Sequence, residues 1–518
     1  MDRNTYNASE EGLMENSVDT TRKLPSSVYN LISIVGAAIA GLSFVAIIFL
    51  FLVEFFTETS TPYLGIINFL VFPAILIFGL LMVPIGMWRE HRRRAIFHAL
   101  PSLPRVDLNI PHHRRMVVLS VSVISLFLLF TGVGSYQAYE FTESTTFCGK
   151  ICHAVMSPEY TAYQGSPHAR VTCAGCHVGP GAGWYVQSKL SGMYQVYSVI
   201  FNKYPKPIPT PITNLRPARE TCEQCHWPQA FYGSKQSERV HYMKDEANTR
   251  WIYNVLIKIG GGSPELGHTS GIHWHMNISN KIEYLPADES REVILWVRST
   301  NAKGEVTVYT SDPSLADGAA IDQSKLRVMD CIDCHNRPTH IFRPPNLSLN
   351  LAMNYGWIDA SLPSIKATAV EALTPEYETK EAALAAIDST INAFYASNYP
   401  EMATAKKPQI DEAVKRVQDI YLKNNFPEMK ASWRTYPDHI GHYLSAGCYR
   451  CHDGRHQSAD GRTISHDCNV CHLIIEQGDG KTVNETNLAG LEFKHPVDIG
   501  EAWKETSCHE CHGLAAGM

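Results

Sequence analysis

All fourteen cysteines of this 518-residue chain fall into seven close pairs, and a histidine stands directly behind every pair. Six pairs read C-x-x-C-H: Cys173/Cys176/His177, Cys222/Cys225/His226, Cys331/Cys334/His335, Cys448/Cys451/His452, Cys468/Cys471/His472 and Cys508/Cys511/His512. The seventh, Cys148/Cys152/His153, has one extra spacer residue. With 23 histidines in the whole chain, this placement is not chance. Two thiols on one short segment can capture the vinyl groups of a porphyrin while the neighbouring imidazole ligates its iron from one face. A zinc ribbon also uses C-x-x-C pairs, but nothing in zinc coordination requires a histidine after each one. Seven covalently bound haem c groups are therefore expected.

The sixth ligand decides between a wire and a catalyst. Two strong ligands fill the coordination sphere and favour outer-sphere electron transfer, whereas an open face admits a substrate. Beyond the motif histidines, the part of the chain after the last apolar run offers His168, His241, His268, His273, His275, His340, His439, His442, His456, His466, His495 and His509. The favoured distal ligands are His168, one of His273/His275, His340, one of His439/His442, His456 and His495, each in or near an attachment segment. His509 sits between the cysteines of its own motif, a poor position from which to reach that iron.

Composition bounds the elements that must hold these motifs: 45% hydrophobic residues and a net charge of −6 fit neither disorder nor a basic nucleic-acid binder. Leu31 to Val53 is an uncharged run of 23 residues, which as a helix spans roughly 35 Å, enough to cross the hydrocarbon layer. Leu64 to Met87 and Met116 to Ser135 are similar, so three transmembrane helices are expected, with Pro73 and Pro84 kinking the second. The polar stretch before the first run argues against a cleaved signal peptide. Between the second and third runs lie Arg89, Arg92, Arg93, Arg94, Arg105, Arg114 and Arg115, whereas Phe55 to Tyr63 has no Lys or Arg. The positive-inside rule makes the arginine loop and the N-terminus cytoplasmic and everything after about Tyr136 external. No histidine lies in the three expected helices and Glu54, near the outer end of the first and just past its uncharged run, is their sole Asp, Glu, Lys or Arg, so the redox chemistry starts at the outer membrane face.

The expected division is a cytoplasmic segment (1–29), a membrane anchor (30–136) with the arginine loop at 89–115, a tetrahaem region (137–345), a helical spacer (346–436) and a C-terminal trihaem region (437–518). Pro205, Pro207, Pro209, Pro211 and Pro217 favour an extended connector. The alternation in KIEYL, EVILWV and EVTVYT suggests a small β hairpin or meander at 281–310. Apolar residues at helical spacing from about Thr379 to Asn424 read as the spacer. The fold class is mainly α, a haem-packed multihaem domain with little regular structure, in which the porphyrins serve as core.

From Glu140 to about Tyr197 the chain resembles the NapC/NirT (NrfH-like) family of membrane-anchored quinol dehydrogenases. The likeness lies in an outward helix, Glu140-Phe141-Thr142, the first haem motif, His168, T-C-A-G-C-H-V from Thr172 to Val178, and Lys189. The layout of three helices plus seven motifs is similar to the ImcH type of inner-membrane heptahaem cytochromes. The resemblance implies a first haem at the membrane surface ligated by Met156 and a quinone contact from Lys189. The family's acid some two turns beyond that lysine is absent here, where Tyr194, Gln195 and Val196 stand; Glu140, Glu143 or Glu159 would replace it as proton acceptor.

The expectation is a quinol dehydrogenase of the bacterial inner membrane. It oxidises menaquinol and passes electrons to periplasmic c-type cytochromes, in respiration that extends to extracellular metal, with no nucleic-acid partner. A quinol yields two electrons and two protons while each haem takes one electron, so a basic group must accept protons. The rivals are a reductase with one open iron for an oxyanion such as nitrite, and a donor subunit held by one terminal reductase.

Overall fold

The computed structural model describes residues 28, 30–56, 71–96, 107–151, 155–179, 182–212, 216–261, 270–316, 318, 321–482 and 484–513. The chain forms two compact units, Met1–Thr142 and Glu143–Met518.

The first unit holds α1 (Leu31–Phe56), α2 (Phe72–Ile96) and α3 (Pro111–Thr142). Small residues let α1 and α2 approach closely. A Cβ at Gly36 would stand 2.6 Å from the Cβ of Met82, and one at Gly79 would stand 2.7 Å from the carbonyl oxygen of Gly36. Ser33, buried in this seam, donates its hydroxyl to the Val83 carbonyl at 2.9 Å. Two helices among the described residues are long and apolar enough to cross a membrane, at Leu31–Leu50 and Phe72–Arg93. Of the three expected spans, these two meet that criterion among the described residues. The third apolar run does form one continuous helix, but α3 opens on His112, His113, Arg114 and Arg115, and the side chains at 120, 123, 124, 128 and 135 lie outside the described residues. Residues 64–70 of the expected second span lie outside the described residues, and α2 continues through Pro84 into the arginines. Arg105 and the N-terminal segment 1–27 lie outside the described residues too.

The second unit begins with a π-helical turn, Phe147–Ile151, followed by α4 (Ser157–Gln164) and α5 (Ala182–Ile200). Its strands are β1 (Ser234–Tyr242), β2 (Arg250–Lys258), β3 (Lys281–Pro286), β4 (Ile294–Thr300), β5 (Val306–Thr310), β6 (Arg327–Val328), β7 (His472–Gly478) and β8 (Asn484–Leu491). They make two antiparallel four-stranded sheets, ordered β1-β2-β7-β8 and β5-β4-β3-β6. Regular structure is thus more extensive than a single small meander. In the first sheet Ile257 of β2 faces His472, so the histidine of the sixth motif is itself the first residue of a strand.

The unit also has a conventional hydrophobic core, in addition to the porphyrins expected in that role. It lies in the cysteine-free stretch, where α6 (Pro345–Asn354), α7 (Ile365–Leu373), α8 (Lys380–Asn398) and α9 (Lys407–Asn424) pack together. Ala383, Ile387, Ile391 and Tyr395 recur at helical spacing along α8, and all are fully buried. They meet Ile410, Ala413, Val417 and Tyr421 of α9 in one cluster. Thr379 caps α8 by accepting from the Ala382 amide at 3.1 Å. These helices need no porphyrin to bury their apolar faces. Ile387→Ala is expected to cost about 2–5 kcal/mol, read as a lower midpoint of helix unfolding by far-ultraviolet dichroism.

Candidate functional site

Short local structure sets up each attachment segment. Cys173–His177 is one helical turn whose start is capped by Thr172, and Cys331–Cys334 is another, closed by a capping box between Asp330 and Asp333. Cys508–His512 is a third such turn, but no side chain caps it, and its second cysteine, Cys511, is exposed. A single turn brings both cysteines and the trailing histidine to one side. Cys152 and His153 of the first motif lie outside the described residues, as does His268; Cys148 is described.

Each of the other six motif histidines faces a second histidine from elsewhere in the chain. Ring centroids are 6.2 Å apart for His177 and His340, 6.1 Å for His226 and His168, and 6.4 Å for His335 and His273. They are 5.9 Å apart for His452 and His275, 6.2 Å for His472 and His442, and 5.9 Å for His512 and His495. Two imidazole nitrogens each ~2 Å from a shared metal put the ring centroids roughly 6 Å apart, whatever the twist between the rings. The observed interplanar angles run from 6° to 87° at nearly constant separation. Direct ring packing would couple angle to distance; a common axis through an intervening atom does not.

Hydrogen bonds set the tautomers. Nδ1 of His340 donates to the carbonyl of Glu159 at 2.9 Å, that of His273 to Ile259 at 3.1 Å and that of His275 to Ile272 at 2.9 Å. Nδ1 of His452 donates to Ser465 at 2.7 Å and that of His495 to Val497 at 2.7 Å. A carbonyl can only accept, so the proton sits on Nδ1 and the Nε2 lone pair is left for a metal. Burial also pushes the pKa of His177, His273, His275, His335, His442, His472 and His512 down, and that of His340 to about 4. Neutral imidazole is the ligating form. The donor set fits haem iron with two axial imidazoles.

The pairs differ in detail from the sequence reading. His273 and His275 both face motif histidines, presented by the tight turn Ile272–Met276 on the far side of a loop that leaves β2. That loop depends on Gly260, where φ is +55° and a Cβ would lie 1.6 Å from the Ser270 carbonyl oxygen. His442 belongs to a pair, whereas His439 gives its Nε2 to Glu292 at 2.7 Å. His456 is in none of the six pairs: it is fully buried with Nδ1 on Asp453 at 2.9 Å. His241 lies against Asn350 and Tyr443, and His466 against Tyr449.

The attachment segments also follow one another in space in the order of the sequence. Cys173 meets Cys148, and Cys222 meets Cys331, through sulfur contacts. Cys176 lies close enough to Cys222 and Cys225 to feel their charge, Cys334 to Cys448, Cys471 to Cys448, and Cys508 to Cys468. Cys511 stands at the end of this series: burial first, then Cys468 and Cys511 as neighbouring thiols, push the Cys508 thiol up. Of the two cysteines of the last motif, Cys508 is half-buried and Cys511 is exposed.

Lys189, on α5, points its ammonium at Glu143, with Nζ 2.6 Å from Oε1. Glu143 is the first residue of the second unit; Glu140 is exposed in the last turn of α3. Glu159 is instead bound to Arg337 at 3.0 Å, and burial raises its pKa against the opposing effect of that arginine. Met156, half-buried, precedes α4. The outer surface of α5 exposes Val186, Leu190, Met193, Tyr194, Tyr197 and Ile200.

Compared with known proteins, residues 111–208 match the model of the NapC/NirT cytochrome c family, N-terminal region. The chain is 46% identical over 499 residues to the cytochrome c-type protein ImcH of Geobacter sulfurreducens, covering 96% of this chain and 97% of that relative. No solved structure matches it.

Proposed function

Because this chain belongs to the NapC/NirT cytochrome c family, in its ImcH-like branch, and is a membrane multihaem cytochrome of electron transfer, we propose that it is a heptahaem menaquinol dehydrogenase feeding periplasmic c-type cytochromes. The observation that carries this reading is the pairing of every described motif histidine with a second imidazole. Doubly ligated iron has no position for an oxyanion, which favours relay over reduction of nitrite. We assign His340, His168, His273, His275, His442 and His495 as the distal ligands of the second to seventh haems, in that order. Met156 is the family-implied ligand of the first.

When bound, the haems supply one-electron acceptance; the proton chemistry falls to the chain. Lys189 orients a quinol hydroxyl and Glu143, as a carboxylate, accepts its proton, taking the part of the acid that the family places later on α5. Lipid contact along the exposed apolar side of α5 suits the delivery of a lipid-soluble donor to the same helix that carries Lys189. For the anchor we propose three passes, α3 completing the set, with the arginine loop on the cytoplasmic side.

The test is anaerobic mixing of the purified, haem-loaded protein with a menaquinol analogue, followed by visible absorbance. We expect seven haems per chain by pyridine haemochrome assay and their reduction by the quinol. No reduction removes the quinol claim, and a high-spin haem that turns over nitrite replaces the relay with the reductase.

A further inference from the structure

The fourth and fifth attachment segments are joined by a buried ionic cluster that none of the histidine pairs uses. Asp333, within Cys331–Cys334, is 2% exposed. Its Oδ1 accepts from Arg327 Nε at 2.7 Å, Arg291 Nη1 at 3.1 Å and the Tyr284 hydroxyl at 2.7 Å, while Oδ2 accepts from the Asp330 amide at 2.6 Å. Four donors thus converge on one carboxylate, three of them on Oδ1.

Arg450, between the two cysteines of the fifth motif, reaches into this cluster. Nη1 donates to the Arg291 carbonyl at 2.8 Å, Nη2 to the Asp333 carbonyl at 2.5 Å, and Nε to Gly447 of its own turn at 2.8 Å. Arg291 thus serves both segments, with its guanidinium on Asp333 and its carbonyl on Arg450. It does so from a left-handed backbone, φ +61°, which a non-glycine residue adopts only when its surroundings hold it there. The acceptors of Arg450 are neutral carbonyls, so its charge is not neutralised by any of them. Arg450 stands directly before Cys451, and its contact with the Asp333 carbonyl places its guanidinium beside the segment that holds Cys334. The same two segments are also coupled through the His273-Trp274-His275 turn, whose histidines face one motif each.

We propose that Arg450 is a positioning and potential-setting residue at the crossing between the first four haems and the last three. It fixes the spacing of the fourth and fifth haems and holds the reduction potentials of both higher than they would be without it. Reduction adds one electron to a ferric iron and breaks no bond, so a fixed positive charge beside the site stabilises the reduced form.

This rests on the seven-haem reading, and the experiment separates the two. Full-length, haem-loaded Arg450→Gln, Arg450→Lys and wild-type protein are titrated potentiometrically, with haem content and low-spin spectra recorded for each. In Arg450→Gln two of the one-electron steps shift to lower potential, equivalent to roughly a tenfold loss of reduced form at a fixed ambient potential, while the others stay in place. Arg450→Lys restores them. The shifted steps belong to the haems whose low-spin signals vanish in His273→Ala and His275→Ala. Should Arg450→Gln lose haem, Asp333→Asn takes its place and moves the same steps upward. Unchanged titrations in a variant of full haem content, or a lysine variant that behaves like glutamine, overturn the proposal. A wild-type protein without bound haem overturns the seven-haem reading instead.

Discussion

Lys189→Ala is expected to slow reduction of the protein by a menaquinol analogue by about 100-fold, the lower end of what a positioned acid or base contributes. Glu143→Gln is expected to do the same, because the glutamine side chain keeps its size and hydrogen-bonding reach but takes up no proton. The two residues meet at 2.6 Å, so they act as a unit and the double variant should be little worse than either single one. Reduction by dithionite, which needs no proton acceptor, should be unaffected in all three. Glu159→Gln is the informative comparison: its carboxylate is held by Arg337 at 3.0 Å, and its loss should alter stability while leaving the quinol rate close to wild type. Equal quinol rates in Lys189→Ala and wild type would remove the pair from the mechanism.

His275→Ala is expected to convert one low-spin haem to a high-spin form that binds cyanide or carbon monoxide, because it removes one of the two imidazoles from the pair with His452. Electron paramagnetic resonance and the visible spectrum report this directly, and His340→Ala should give the same change at the partner of His177. His456→Ala is the control. The sequence alone favours His456 as a ligand because it lies in CHDGRH, yet its ring belongs to none of the six pairs. Its replacement should therefore leave every spin state unchanged and show its effect as lost stability from the broken Asp453 contact. A high-spin signal from His456→Ala, or none from His275→Ala, would overturn the ligand assignment.

The two histidines of the His-Trp-His turn illustrate what could not be read in advance. Two positions apart on one tight turn, they face different motifs, and nothing local separates that outcome from one ligand and one surface residue. The choice of His442 over His439 is of the same kind: Glu292, far away in sequence, occupies the Nε2 of His439. Glu143 was one of three acids in view, and only the approach of α5 to the start of the second unit distinguished it. The polar strand β1 shows no alternation to recognise; its pairing with β2, and that of β2 with β7 from the C-terminal group, arises from distant backbone hydrogen bonds.

The attachment motifs, the cysteine-free helical segment and the apolar runs were legible because each is written in neighbouring residues: two thiols and an imidazole within a turn, or a hydrophobic period along one helix. Sequence alone therefore established a membrane-linked carrier of covalent haem. Which histidine faces which motif, which acid meets Lys189 and how Arg450 links two attachment segments were decided only by the tertiary structure. Those contacts join residues remote along the chain, and their energies exist only once the backbone has brought them together.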